Sequence, residues 1–186
     1  DLPVFLERVI NLAMDFSMAM RGAFFEIDRE NKPRIIASRN LDPMLLKAEQ
    51  FKIIEEVIEF VAQSDTEAIM PGLNHHSNIS DEVLTMAGIH SIICMPAKLD
   101  DHTYGYLYLD NRVGSEAFPD SHLPYVRLLC NQIAIGLSNI SIYNEIREMK
   151  ERFEEEATFY KREMGIASPL ETIIGKSESM KTVLDQ

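Results

Sequence analysis

"SIICMPAKLDDHTYGYLYLDN", residues 91–111, is the stretch whose reading decides the fold. Two apolar runs, "SIICMPAKL" (91–99) and "YGYLYLDN" (104–111), flank the polar turn "DDHT" (100–103), which predicts an antiparallel hairpin of two central strands. In the second run Tyr104, Tyr106, Tyr108 and Asp110 alternate with Gly105, Leu107 and Leu109, so one face carries phenols and a carboxylate while the other is aliphatic. The aliphatic face is expected to pack on the first and last helices. The tyrosine face is expected to meet an irregular segment between Ile69 and Gly88.

Upstream, Val4, Phe5, Val9, Leu12, Ala13, Phe16 and Met20 recur at helical spacing, with Gly22 as the cap. "AFFEID" and "RIIASR" predict a first hairpin, interrupted by "RENKP" with Asn31 and Pro33. Asp42 and Pro43 suit a helix start, and Ala48, Phe51, Ile54, Val57, Ile58 and Val61 supply the apolar face of a second long helix. "EAIM" predicts a short strand, "PGLNHHSNIS" a loop, and "DEVLTMA" a short helix capped by Ser80 and ended by Gly88.

Downstream, Leu123, Val126, Leu129, Cys130, Ile133, Leu137 and Ile140 form a helical stripe. Ile142, Ile146, Met149, Phe153, Ala157, Tyr160 and Met164 continue it at spacings of three and four, among Glu, Lys and Arg. Such a seam belongs either to a linker helix folded back on its own domain or to a helix that pairs between protomers, and pairing is favoured because a lone solvated helix would not need it. Gly165 and Pro169 end it.

The chain has 186 residues, 46% of them hydrophobic, enough for one domain with extensions. Asp1 at the start and the abrupt end after "IIGKSESMKTVLDQ" give the expectation of a piece of a longer protein. There is no apolar run of membrane-spanning length and no signal-peptide pattern at the N-terminus. Cys94 and Cys130 cannot supply a disulfide framework, which suits a reducing cytoplasm. A formal charge of −12 repels phosphate backbones and anionic lipid heads, so neither DNA nor membrane is expected to bind this segment.

No Gly-x-x-x-x-Gly-Lys-Ser/Thr loop cradles a triphosphate, and no Gly-x-Ser-x-Gly elbow presents a nucleophile. His75, His76, His90 and Cys94 are metal-ligating residue types, but adjacent histidines diverge. Solvated loop histidines and a small buried thiol are the simpler reading, and no metal is expected. Cys94 and Cys130 sit in apolar runs, which disfavours a redox pair. The acidic run Glu154, Glu155, Glu156 reads as a solvated helix surface.

The order helix, hairpin, helix, irregular segment, hairpin, long helix resembles a GAF domain, a small ligand-binding sensor module of signalling proteins. Pro96, Gly105, Leu107, Leu109, Phe118 and the helix around Ile133, Ala134 and Ile135 stand where that family's C-terminal half has its strand proline, Gly-x-Leu-x-Leu strand, phenylalanine and closing helix. The resemblance implies an α+β fold: an antiparallel sheet of five to six strands, with the first and last helices on one face and a ligand pocket on the other, followed by a long linker helix. Some GAF domains bind tetrapyrroles through a cysteine beside a histidine, and this loop has no cysteine there.

Ile174, Gly175, Ser177 and Met180 resemble the opening of the AAA+ ATPase domain of sigma-54-dependent transcriptional activators. The implied organisation is a GAF sensor domain at 1–145, a helical linker at 146–167 and the start of the ATPase domain at 168–186. The implied function is a regulator that binds a small-molecule effector and controls its own ATPase as a homodimer. Sigma-54 RNA polymerase and DNA would be met through regions outside this chain. The alternatives are a ligand-free dimerisation module and, less favoured, a GAF-fold thiol enzyme. Effector contacts are expected at Arg39, Met70, His75, Cys94, Tyr106 and Tyr108, and pairing at Ile142, Ile146, Met149 and Phe153. Asp110 and Arg112 are expected to close the sheet end rather than touch ligand, on the reading that "LDNR" leaves the strand.

Overall fold

A computed structural model describes residues 2–42, 48–70, 84, 88–112 and 118–163. The elements are α1 (Leu2–Ser17), β1 (Arg21–Ile27), β2 (Pro33–Arg39), α2 (Ala48–Ser64), β3 (Ala68–Met70), β4 (Ile89–Leu99), β5 (His102–Arg112) and α3 (Leu123–Glu163), the last preceded by a 3-10 turn at Asp120–His122. Antiparallel pairing gives one five-stranded sheet in the order β2-β1-β5-β4-β3. The chain divides into two compact units, Asp1–Ile140, which holds the sheet, and Ser141–Gln186.

The hairpin of β4 and β5 forms the middle of the sheet, as its apolar content predicts, and β5 is bordered on its other side by β1. Strand alternation then sorts the interior into two layers. Phe24, Ile93, Met95, Leu107 and Leu109 pack with Leu6, Val9, Ile10, Ala13 and Met14 of α1 and with Val126, Cys130, Ile133, Ala134 and Leu137 of α3. On the other side Ala23, Phe25, Ile92, Cys94, Tyr106 and Tyr108 pack with Ile53, Ile54, Val57, Ile58 and Val61 of α2 and with Leu84. Helix α2, rather than an irregular segment alone, therefore covers the tyrosine face.

Tyr104 departs from the predicted alternation. The pairing runs Ala97 to Gly105 and then Lys98 to Thr103, so Tyr104 is the extra residue of a bulge, and it packs with the α1 and α3 cluster. Gly105 makes the bulge possible: its φ is +152°, and a Cβ there would stand 2.4 Å from the Phe25 carbonyl oxygen and 2.5 Å from the Phe24 ring.

Helix α1 stops earlier than its periodicity suggests. Met18 takes φ 62°, and the Ala19 amide donates to the Met14 carbonyl at 3.0 Å, closing the helix three residues after its first unsatisfied carbonyls begin. Gly22 is thus no cap but a β1 residue, where a Cβ would press on Ile10, Met14 and Leu109 at 3.0 Å each. The buried stripe is Leu6, Val9, Ile10, Ala13 and Met14, while Val4, Leu12 and Phe16 are exposed. Pro33 does not interrupt β2 but starts it, where a missing N–H is tolerated. The preceding turn is held by Asp28, whose side-chain oxygen accepts from the Glu30 and Lys32 amides at 2.8 and 2.9 Å. The Pro43 helix start, the Ser80-capped helix other than Leu84, and the segment 168–186 lie outside the described residues.

Candidate functional site

The α2-covered face gathers the chemistry of the domain because register places its side chains in rows. Arg21 pairs with Asp110, Ala23 with Tyr108 and Phe25 with Tyr106. Across the hairpin Ile92 pairs with Asp110 and Cys94 with Tyr108, and Ala68 of β3 pairs in turn with Cys94. The Tyr108 ring, wholly buried, meets Phe25 edge-on at 6.2 Å.

A buried polar network runs along this face. Arg21 donates from Nε to Asp110 Oδ1 and from Nη2 to Asp110 Oδ2, each at 2.6 Å, and the Tyr108 hydroxyl donates to Oδ2 at 2.9 Å. Side-chain exposure of the ion pair is 3% and 0%. Burial works against the Arg21 charge, but the Asp110 hydrogen bonds and charge outweigh it, and the guanidinium pKa is raised. Burial, reinforced by the Asp110 carboxylate, holds the Tyr108 hydroxyl well above its ordinary range. Burial also raises Tyr106, with Cys94 and Asp65 adding to it. Asp110 and Arg112 remain within β5, so Asp110 acts from inside the sheet as an ion-pair partner and not from a turn beyond it.

Burial pushes the Cys94 thiol far up, and it pushes the Cys130 thiol up to about 12, with Glu67 contributing. Neither is a thiolate near neutral pH, so neither is poised as a nucleophile or redox centre. Among the described residues no group of three His, Cys, Asp or Glu side chains is placed to hold a metal ion, and no helix is long and apolar enough to cross a membrane.

Of the expected contact residues, Met70, Cys94, Tyr106 and Tyr108 fall in one cluster. Arg39 does not join them. It pairs with Gly22, whose missing side chain faces α1, and it donates to Asn11 of α1 at 2.6 Å, so it lies on the opposite side of the sheet. His75 lies outside the described residues. Ile142, Ile146, Met149 and Phe153 are exposed on α3, by 51%, 56%, 44% and 70%. Sequence reasoning missed Arg21. Its signal was a lone cation two residues before Ala23, in phase with the buried positions of "RGAFFEI" and matched by an acid in phase with Tyr108.

A concavity of about 490 Å³ opens beside β3 and the start of α3, lined by Asp65, Glu67, Pro96, Arg127, Cys130 and Asn131. Ion pairs of Arg127 with Glu67 and of Lys98 with Asp65 brace its rim.

The chain is 26% identical over 180 residues to the formate hydrogenlyase transcriptional activator FhlA of Escherichia coli (strain K12), which covers 92% of this chain and 25% of that protein. It therefore spans about a quarter of that relative's length. Among solved structures, the GAF domain of an Acinetobacter phosphoenolpyruvate-protein phosphotransferase superposes with a TM-score of 0.59 at 15% identity, covering 78% of this chain and 87% of that one. The second GAF domain of DevS from Mycobacterium smegmatis superposes with a TM-score of 0.59 at 12% identity, covering 78% of this chain and 99% of that one. The GAF domain profile matches residues 1–137, the span that contains the sheet, α1, α2 and the first part of α3, and the chain belongs to the GAF domain family.

Proposed function

We propose that this chain is the sensor region of a sigma-54-dependent transcriptional activator. Its GAF domain binds a small organic effector against the sheet face carrying Met70, Cys94, Tyr106 and Tyr108, and biases an attached AAA+ ATPase through paired α3 helices. The observation that carries the reading is that identity to a transcriptional activator extends over 180 residues, past the GAF match at 1–137. Tyrosines offer an apolar wall with one polar tip each, which suits a small organic ligand.

Ile142, Ile146, Met149 and Phe153 follow one another at steps of four, three and four, the spacing of a two-stranded seam, and their exposure leaves them available to a second copy. An effector that binds one packing of α3 better than another would shift how two such helices pair, and so how two ATPase domains are held. Polymerase and DNA would be engaged by other parts of the protein, in the cytoplasm.

The full burial of Tyr108 and its bond to Asp110 favour a second reading, a ligand-free dimerisation module. A native mass spectrum of freshly purified chain separates the two: a small mass that is retained in the native spectrum and lost on denaturation supports the sensor, and its absence supports the module. Ile146→Glu with Phe153→Glu is expected to give a folded monomer by sedimentation. An unchanged dimer rejects the seam as the pairing surface.

A further inference from the structure

Within the domain, helix α3 carries two apolar stripes. One, with Val126, Cys130, Ile133 and Leu137, is buried against the sheet. The other, Leu128 and Ile135, is 56% and 39% exposed. At about 3.6 residues per turn the second stripe lies roughly half a turn from the first, so the sheet that buries one cannot cover the other. The outward stripe also keeps a heptad phase. With Leu128 at a d position, the d positions that follow are Ile135, Ile142 and Met149, and the intervening a positions are Gln132, Asn139 and Ile146. This is the phase of the pairing seam, begun two heptads before Ile142. Gln132 and Asn139 are exposed like their apolar neighbours. One heptad before Gln132, Tyr125 stacks on Phe16 of α1 at 5.9 Å, and the two residues, each about half exposed, widen the apolar surface.

We propose that the outward face of α3 from Leu128 to Asn139 docks a second copy of this chain in parallel, with the two Asn139 side chains meeting across the seam and fixing its register. The inference rests on the paired-helix reading and carries it from the linker into the domain. A second copy is the occupant because one partner helix, kept in a single register, covers Leu128 and Ile135 as well as Ile142, Ile146 and Met149. Charge agrees. In a parallel pair each g residue faces the e residue five positions on in the other strand, and Glu145 at g then meets the partner's Lys150 at e, once on each side of the Ile146 layer. Asn139 sets the direction. Its amide is both donor and acceptor, so two copies in one a layer satisfy each other. In an antiparallel pair a positions layer with d positions, and Asn139 would face an aliphatic residue with its hydrogen bonds unmade. A polar a residue costs stability and specifies register, which is the role assigned to Asn139.

Single cysteines introduced into the full chain test the geometry. Leu128→Cys and Ile142→Cys are each expected to give a disulfide-linked dimer on mild oxidation, while Glu148→Cys, off the seam, is not. The first two positions are about 21 Å apart along the helix, so an antiparallel pair can link at most one of them to itself. Leu128→Glu with Ile135→Glu changes only exposed positions. That variant is expected to keep its circular dichroism and to self-associate at least about tenfold more weakly by sedimentation. Asn139→Leu is expected to tighten self-association by about tenfold, as removal of a polar layer should. Linkage through Ile142→Cys but not Leu128→Cys, with unchanged association of the double glutamate variant, overturns the proposal and leaves pairing confined to the linker. Unchanged association of Asn139→Leu overturns the register role. If neither cysteine links and Ile146→Glu with Phe153→Glu also sediments unchanged, the paired-helix reading fails as well.

Discussion

On one side of the sheet Phe24, Ile93, Leu107 and Leu109 meet α1 and α3 through apolar side chains; on the other, α2 packs with Cys94, Tyr106 and Tyr108, whose row on the sheet continues into a buried ion pair. The first layer holds by buried area, so each loss should scale with the volume removed. The second holds by area plus a polar requirement that is met jointly or not at all, because an ion pair that loses one member leaves a bare buried charge. The same five strands thus present one forgiving layer and one exacting layer.

The sharpest way to break that contrast is Asp110→Ala, which is expected to cost about 3–5 kcal/mol by leaving Arg21 unpaired, read as a fall in urea midpoint. Arg21→Met with Asp110→Leu together should cost far less than either single change, or even stabilise. Leu107→Ala on the carbon layer is expected to cost about 3 kcal/mol. If Asp110→Ala proves milder than Leu107→Ala in the same assay, the two layers do not differ as described.

Alkaline titration sharpens the comparison further. Cys94, Tyr106 and Tyr108 on the α2 side and Cys130 on the other all have raised pKa values in the fold, against ordinary values of 9.0 for cysteine and 10.0 for tyrosine. Unfolding at high pH releases these protons, so their contribution is intact below about pH 9 and is lost as pH rises, by about 1.4 kcal/mol per pH unit for each proton released. Urea midpoints should fall progressively above about pH 9, and Tyr108→Phe should flatten the decline; an unchanged slope in that variant would show that Tyr108 ionises normally. The smallest effect is expected at Met18, whose left-handed backbone at the end of α1 suits glycine. Met18→Gly should raise stability by about 1 kcal/mol in thermal melting, with both layers undisturbed.

The carbon layer was legible because its periods are clean: Leu107 and Leu109 alternate, and Val126, Cys130, Ile133 and Leu137 recur at helical spacing. Helix α1 misled, since Val4, Leu12 and Phe16 form a second stripe as apolar as the buried one, and hydropathy alone does not rank two stripes on one helix. Of the candidate site, the shared face of Cys94, Tyr106 and Tyr108 followed from strand alternation, whereas Arg39 lies on the α1 face. Its sheet face depends on the β1 to β2 register, which shifts between Phe24 and Phe25 and has no signature in a single sequence. Arg21 was overlooked because charge at a strand's first residue ordinarily means solvent, and only its pairing with Asp110 explains its burial.

The bulge at Tyr104 bears on how the gene can change. Strand alternation normally makes the number of residues in a hairpin inviolable, since one codon gained or lost inverts every side chain beyond it. Here the count is already reset between Gly105 and Thr103, so the outer end, from Lys98 through the turn at Asp100 and Asp101 to Thr103, keeps its own phase, independent of Cys94, Tyr106 and Tyr108. Codons inserted or deleted in that tip would be absorbed there, and lineages can vary its length and sequence while the inner rows inherit their facing unchanged.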